Sequence, residues 1–309
     1  HDTIFPLFLF IAGVSFPYSV AKQRAGGMSE VRIYAKIVRR GLTLVVLGMV
    51  YNGLFKLDFE NLRIASVLGR IGLAWSIAAV LYLNFGVKTR AAIAVAVLAG
   101  YGALSALVAA PDAAGAGPLT FEGNLAGYID RQFLPGKLIY GSFDPEGLLS
   151  TVPAVVTAML GMFTGEFVRR GDIRGGRKTL WMAAAAAALL AAGLAFSGVL
   201  PVNKKLWSST FVCVVGAYSL GMFALFYYLI DVRGWRRWTL FFRVVGLNSI
   251  TIYLAQRIVG FGRISDFFLG GIASKCPEAV AAVISSAGYV AVCWLFLYFL
   301  YRKNVFLKV

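Results

Sequence analysis

Pro201-Val202-Asn203-Lys204-Lys205-Leu206-Trp207 is a short polar clasp between two long apolar runs, Leu180 to Leu200 before it and Ser208 to Ile230 after it. Each run is long enough to cross the ~30 Å hydrocarbon core of a bilayer as a helix. In lipid a segment must satisfy its own backbone polar groups, so two spans joined by so few residues form a tight helical hairpin. The clasp then lies at a membrane surface, with Asn203, Lys204, Lys205 and Trp207 held at a fixed height. Two readings are open. The clasp is an interfacial turn, its lysines snorkelling to water and Trp207 in the aromatic belt, or it is one side of a functional site.

The same kind of run recurs along the whole chain, in which 59% of residues are hydrophobic. The fold class is therefore all-α, a polytopic helical membrane protein read as a single domain over residues 1–309. Outward from the hairpin, spans are expected near Thr3–Val20, Ile37–Phe55, Leu62–Leu83, Thr89–Ala110, Leu148–Val168, Val244–Val259 and Ala279–Tyr301. With the hairpin pair this makes about nine transmembrane helices. Gly260–Ser274 is short and Gly-rich, a re-entrant or interfacial piece. The longest polar stretch is the loop 111–147.

The net charge of +16 would point to nucleic acid in a soluble protein. Here the charges fall between spans, where they orient the chain, and nucleic acid is excluded as a partner. Of the 30 Lys and Arg, twenty lie in one set of alternate loops and the C-terminal tail and nine in the other set. The positive-inside rule puts the richer set, and the C-terminus, in the cytoplasm. The clasp, the loop 111–147 and His1-Asp2 then face outward. A chain that starts outside, without Met or signal peptide, is expected to lack one N-terminal transmembrane helix. Cys213, Cys276 and Cys293 have no paired spacing, and the one His is at position 1, so neither a disulfide framework nor a metal site is expected.

Three polar constellations stand out. Phe143-Asp144-Pro145-Glu146-Gly147 precedes a span with Asp144 placed as N-cap, Pro145 at the first helical position and Glu146 in the first turn. Both carboxylates are equally able to face a pocket and orient an amine or a sugar hydroxyl. Arg70 stands eight residues into its span, roughly 12 Å from the end. A charge at that depth needs a structural ion partner or serves as an anchor for a phosphate or carboxylate. Asn248 and Ser249 open another span, in which Ser249, Tyr253 and Gln256 share one helical face and line a polar stripe.

In their order and spacing these pieces resemble the heparan-alpha-glucosaminide N-acetyltransferase family and its bacterial members. The resemblance rests on Asp2-Thr3-Ile4-Phe5-Pro6 with Phe10-Ile11-Ala12-Gly13, Arg63-Ile64 with Leu68-Gly69-Arg70-Ile71-Gly72, and Gly127-Tyr128-Ile129-Asp130-Arg131. It continues through Phe143 to Gly147, Pro201 to Trp207, Asn248-Ser249-Ile250 and Tyr301-Arg302-Lys303. It implies a multi-pass acyltransferase that moves acetyl from cytosolic acetyl-CoA to an amino-sugar or glycan acceptor on the outer face, without a metal. The short loops imply a bacterial inner-membrane protein, and the analogy extends to a homodimer. On the family's pattern Asp2, Asp144, Glu146, Asn203 and Lys204 border the transfer site, with Asn203 and Lys204 as oxyanion donors. Arg70, Asn248 and Ser249 contact the coenzyme or shape its channel. The family's catalytic His precedes the Asp-Thr-Ile-Phe-Pro segment, and His1 is not in that position. Gln256 is a second departure, standing where the lysosomal enzyme has His.

Two other classes remain in view. One is a transporter or flippase for a glycan or lipid-linked precursor, which would show internal repeats and broken helices; the spans show no such repeat. The other is an inactive scaffold.

Overall fold

In a computed structural model, residues 2–307 are described; His1, Lys308 and Val309 lie outside them. Twelve α-helices follow in order among the described residues. They are α1 Ile4–Ala25, α2 Glu30–Tyr51, α3 Val67–Asn84, α4 Val87–Leu107, α5 Leu125–Phe133, α6 Leu148–Arg169, α7 Gly175–Ala195, α8 Ser209–Tyr227, α9 Leu240–Leu247, α10 Ser249–Ile258, α11 Phe261–Ala273 and α12 Glu278–Arg302. The chain forms two compact units, His1–Arg233 and Gly234–Val309. Seven of the helices are long and apolar enough to cross a membrane, and eight if the bent pair α9–α10 counts as one span. This is a polytopic helical membrane protein, as the apolar runs require.

In the first unit α6 is the axle, with 72% of its apolar stretch buried. Hydrophobic burial does not drive helices together in lipid, so close approach depends on small residues. A Cβ on Gly161 or Gly165 would stand 2.0 or 2.2 Å from the carbonyl oxygens of Phe10 and Val14 on α1, and one on Gly13 would meet that of Ala158. The helices therefore touch backbone to backbone along the Gly161-x-x-x-Gly165 face. α2 and α3 pack in the same way, with Gly41 against Gly72 and Gly48 against Ser66.

The span count departs from expectation for two reasons. The basic loop expected after the first span is mostly helix, because Ile33, Ile37, Gly41, Leu44 and Gly48 form one buried face of α2. Lys36, Arg39 and Arg40 thus fall inside its apolar stretch, and Arg40 stacks on Trp75 at 4.3 Å. In the second unit the span expected over Val244–Val259 is broken at Asn248, where α9 and α10 meet at a 60° bend. α11, of 13 residues, is about 20 Å long and shorter than the hydrocarbon core. α12 packs on α11 across Gly288 and on α9 through the stacked rings of Phe241 and Trp294.

Candidate active site at the clasp end of the bundle

The first unit gathers one end of α1, α3, α6 and α8 around the clasp, and local backbone chemistry decides which side chains meet there. α3 begins at Val67, not Leu62, because Ser66 caps it by accepting the Gly69 N–H at 2.9 Å. Upstream, Asn52 Nδ2 donates to the carbonyls of Arg63 and Ala65, both at 2.8 Å, and Arg63 pairs with Gly136 as an isolated bridge. The expected depth of Arg70 is corrected accordingly. It lies in the first turn of α3, about 6 Å from the helix end, beside the clasp.

The acidic loop is also rearranged. α6 starts at Leu148 with Gly147 as N-cap, so Asp144 is not the cap. Asp130 of α5 does that work across the chain: Oδ1 accepts the Leu148 N–H at 2.9 Å and Oδ2 the Asp144 N–H at 3.2 Å. A side chain on Gly147 would collide with this carboxylate. Burial pushes the Asp130 carboxyl up to about 6, against the pull of the two N–H groups. Asp144, only 1% exposed, receives a two-pronged contact from Arg63, with Nε to Oδ2 at 2.7 Å and Nη2 to Oδ1 at 2.6 Å. Arg63 Nη2 also reaches Glu146. Burial works against the Arg63 charge, but Asp144 and Glu146 outweigh it and hold its pKa above the ordinary value. Asp144 and Glu146 are therefore the two ends of an ion-pair clamp.

The clasp folds as a tight turn on its own polar groups. Asn203 Oδ1 accepts the Lys205 N–H at 2.8 Å, while Ser208 Oγ takes the Asn203 N–H and donates to Pro201 O. Tyr101 Oη donates to Leu206 O. These contacts hold Trp207 at φ 51°, left-handed backbone that costs a bulky residue roughly 1–2 kcal/mol. Trp207 is 1% exposed, so the aromatic-belt reading fails. Its ring lies between Phe5, at 4.9 Å, and Phe211, at 5.2 Å, and the Arg70 guanidinium stacks on it at 4.9 Å. Lys205 turns to the rings of Tyr140 and Phe121, at 4.5 and 4.8 Å, and Lys204 pairs with Asp2 at 3.2 Å.

Arg70 is as buried as Trp207, and no carboxylate among the described residues contacts it. Its Nη2 donates to Ser150 Oγ and faces Gly147 O at 3.5 Å, while Nε and Nη1 have no partner among the described residues. Trp207 Nε1, buried beside them, also has none. Of the two readings open for Arg70, the structural ion pair is thus not formed among the described residues.

Of the expected site residues, the structure brings Asp2, Asn203 and Lys204 together at the clasp and stacks Arg70 on its Trp207, while Asp144 and Glu146 are held in the clamp of Arg63. Asn248 and Ser249 belong to the second unit, where Asn248 is the buried break between α9 and α10 and accepts from Thr251 Oγ1 at 3.3 Å. Arg63, Asp130, Ser150 and Trp207 had no site role in the sequence. The first two were visible only as members of recurring motifs.

No family model matches the chain. Human (Homo sapiens) heparan-alpha-glucosaminide N-acetyltransferase is 27% identical over 365 aligned residues, and the mouse (Mus musculus) protein of that name is 25% identical over 362. Each alignment covers all of this chain and 54% of the relative. The similarity is end to end. The chain spans about half the length of these two acetyltransferases.

Proposed function

We propose that this chain is an acetyl-CoA-dependent acetyltransferase of the membrane, acting on the amine of an amino-sugar or glycan acceptor at the clasp end of the bundle. The observation that carries the proposal is the similarity, along the whole of this chain, to two relatives named as N-acetyltransferases. The clasp geometry supports it, because cationic and hydrogen-bonding groups gather there beside exposed Asp2. The acceptor nitrogen attacks the thioester carbonyl, a C–N bond forms, the C–S bond breaks, and coenzyme A leaves as the thiol. The amine's proton passes to a carboxylate, for which Asp2, 74% exposed, is the accessible group at the clasp. The clasp end then faces away from the cytoplasm and the C-terminus faces into it, with a bacterial inner membrane as the setting.

The test is transfer of labelled acetyl from acetyl-CoA to glucosamine by the chain purified in nanodiscs. Labelled N-acetylglucosamine is the expected product. A folded protein that neither binds acetyl-CoA nor transfers acetyl would remove the proposal. The 60° break at Asn248 favours a second reading, a transporter of glycan precursors, since broken helices line many solute paths. Glycan uptake by proteoliposomes without acetyl-CoA would select it.

A further inference from the structure

We infer that Arg70 and Trp207 are the oxyanion-binding element of the acyl transfer; this rests on the acetyltransferase reading and assigns that site its catalytic donors. The donors expected from the sequence are already engaged. Asn203 Oδ1 is bound into the turn of the clasp, and Lys204 is paired with Asp2. Among the described residues at the clasp, the unspent donors are Arg70 Nε and Nη1 and Trp207 Nε1, three buried nitrogens on two stacked side chains. A buried N–H without an acceptor is costly, and an oxygen supplied by a ligand would satisfy all three nitrogens at once, at a guanidinium that, unlike that of Arg90, no carboxylate among the described residues contacts.

The surroundings select the kind of acceptor. Arg63 and Arg70 stand against Asp130, Asp144 and Glu146, three carboxyls for two guanidiniums. A cluster without net positive charge does not favour a phosphate dianion. It does suit a carbonyl oxygen that is neutral in the substrate and gains one negative charge at the transition state. As the acceptor nitrogen adds to the thioester carbon, the carbonyl π pair moves onto that oxygen. When the tetrahedral adduct collapses the pair returns, the C–S bond breaks, and coenzyme A takes up a proton as the thiol. The donors are preorganised, because Phe5 and Phe211 flank the indole, Tyr101 holds the preceding carbonyl, and Ser150 fixes the guanidinium.

The experiment measures binding of two unreactive analogues by calorimetry on the chain in nanodiscs. One is acetyl-carba-CoA, a ketone with methylene in place of the thioester sulfur; the other is S-ethyl-CoA, which lacks the carbonyl. The unaltered protein is expected to bind the ketone about tenfold more tightly, the size of one good hydrogen bond. Trp207→Phe keeps the ring on Arg70 and loses only the N–H, so it should cut that ratio to about threefold. It should also lower kcat by roughly 10²-fold with KM little changed. Arg70→Lys should abolish the preference. Equal binding of both analogues by the unaltered protein, or a Trp207→Phe variant with unchanged ratio and kcat, would overturn the inference while leaving the acetyltransferase reading intact. Failure of both analogues to bind would remove that reading and the inference with it.

Discussion

The two ends of the first unit use the same residue types in opposite ways. At the end away from the clasp, basic side chains serve nearby backbone or pair with a carboxylate that water reaches: Arg24 with Glu30, Arg90 with Glu166 and Arg170 with Asp172. Arg169 Nη1 donates to Pro17 O inside α1 at 2.8 Å, and Lys178 Nζ to Val168 O at 2.7 Å near the C-terminus of α6, where cations are favoured anyway. Arg90 meets Glu166 at 2.7 Å and stacks on Tyr82 at 4.5 Å. Its Nε and Nη1 are as unpartnered as those of Arg70, but its charge is directly neutralised. At the clasp end Arg63 spans 81 residues of sequence to a carboxylate with no exposure, while Arg70 touches only uncharged oxygens and a ring. The contrast teaches that burial alone does not mark a functional arginine. What separates Arg70 from Arg90 is that no carboxylate among the described residues touches it.

Arg63→Ala is the strongest way to break the contrast. It strands Asp144 without a counter-ion in a closed site, and removing one partner of a buried pair costs about 3–5 kcal/mol. Arg90→Ala leaves Glu166 with 35% exposure and a path to solvent, so its cost should stay at about 1–2 kcal/mol for a partly wet pair and the cation–π contacts with Tyr82 and Phe163. Thermal unfolding of both variants in the same detergent checks the ranking. Equal losses would mean that the two ends are equivalent.

Asp130→Asn tests the clasp end from its other carboxylate. The amide keeps one acceptor oxygen for two N–H groups and turns a donor toward the second, so a loss of about 1–3 kcal/mol is expected. The pH dependence has a definite sign. With the native carboxyl pushed up to about 6 from its ordinary 3.8, the folded state holds a proton that the unfolded state releases between those values. Stability from this group is complete below about 4 and falls as pH rises through 6. The gap between the unaltered protein and Asp130→Asn should therefore narrow as pH rises across that window. A gap that widens would contradict the assigned direction.

These residues also show where sequence reasoning stopped. The helices were legible because apolar runs of membrane length leave the backbone little alternative. Ser66 as the start of α3, the break at Asn248 and the basic half of α2 were not, since a cap, a bend and a buried face depend on neighbours that hydropathy does not contain. The residues of Asp144-Pro145-Glu146-Gly147 fit a helix start, yet the cap comes from Asp130. The motif resemblance set Asp144, Glu146, Lys204 and Asn203 beside one site but gave no sign that two are clamped by Arg63 and one is bound into a turn. Trp207 was misplaced because an interfacial and a buried tryptophan look alike in sequence.

Lys204→Ala is expected to change stability least, and that makes it a sharp test of the clasp. Its pair with Asp2 is solvent-accessible, with Lys204 at 37% and Asp2 at 74% exposure, and such pairs contribute less than about 1 kcal/mol. The turn itself is held by Asn203, Ser208 and Tyr101, none of which needs the lysine side chain. Melting should shift little while acetyl transfer falls, because Asp2 would lose the cation that positions it beside the acceptor. An unfolding temperature that drops as far as for Arg63→Ala would instead make the pair a structural part of the clasp end. Unchanged transfer with an unchanged melt would place Lys204 outside the chemistry and leave the buried face of the clasp, Trp207 on Arg70, as its working side.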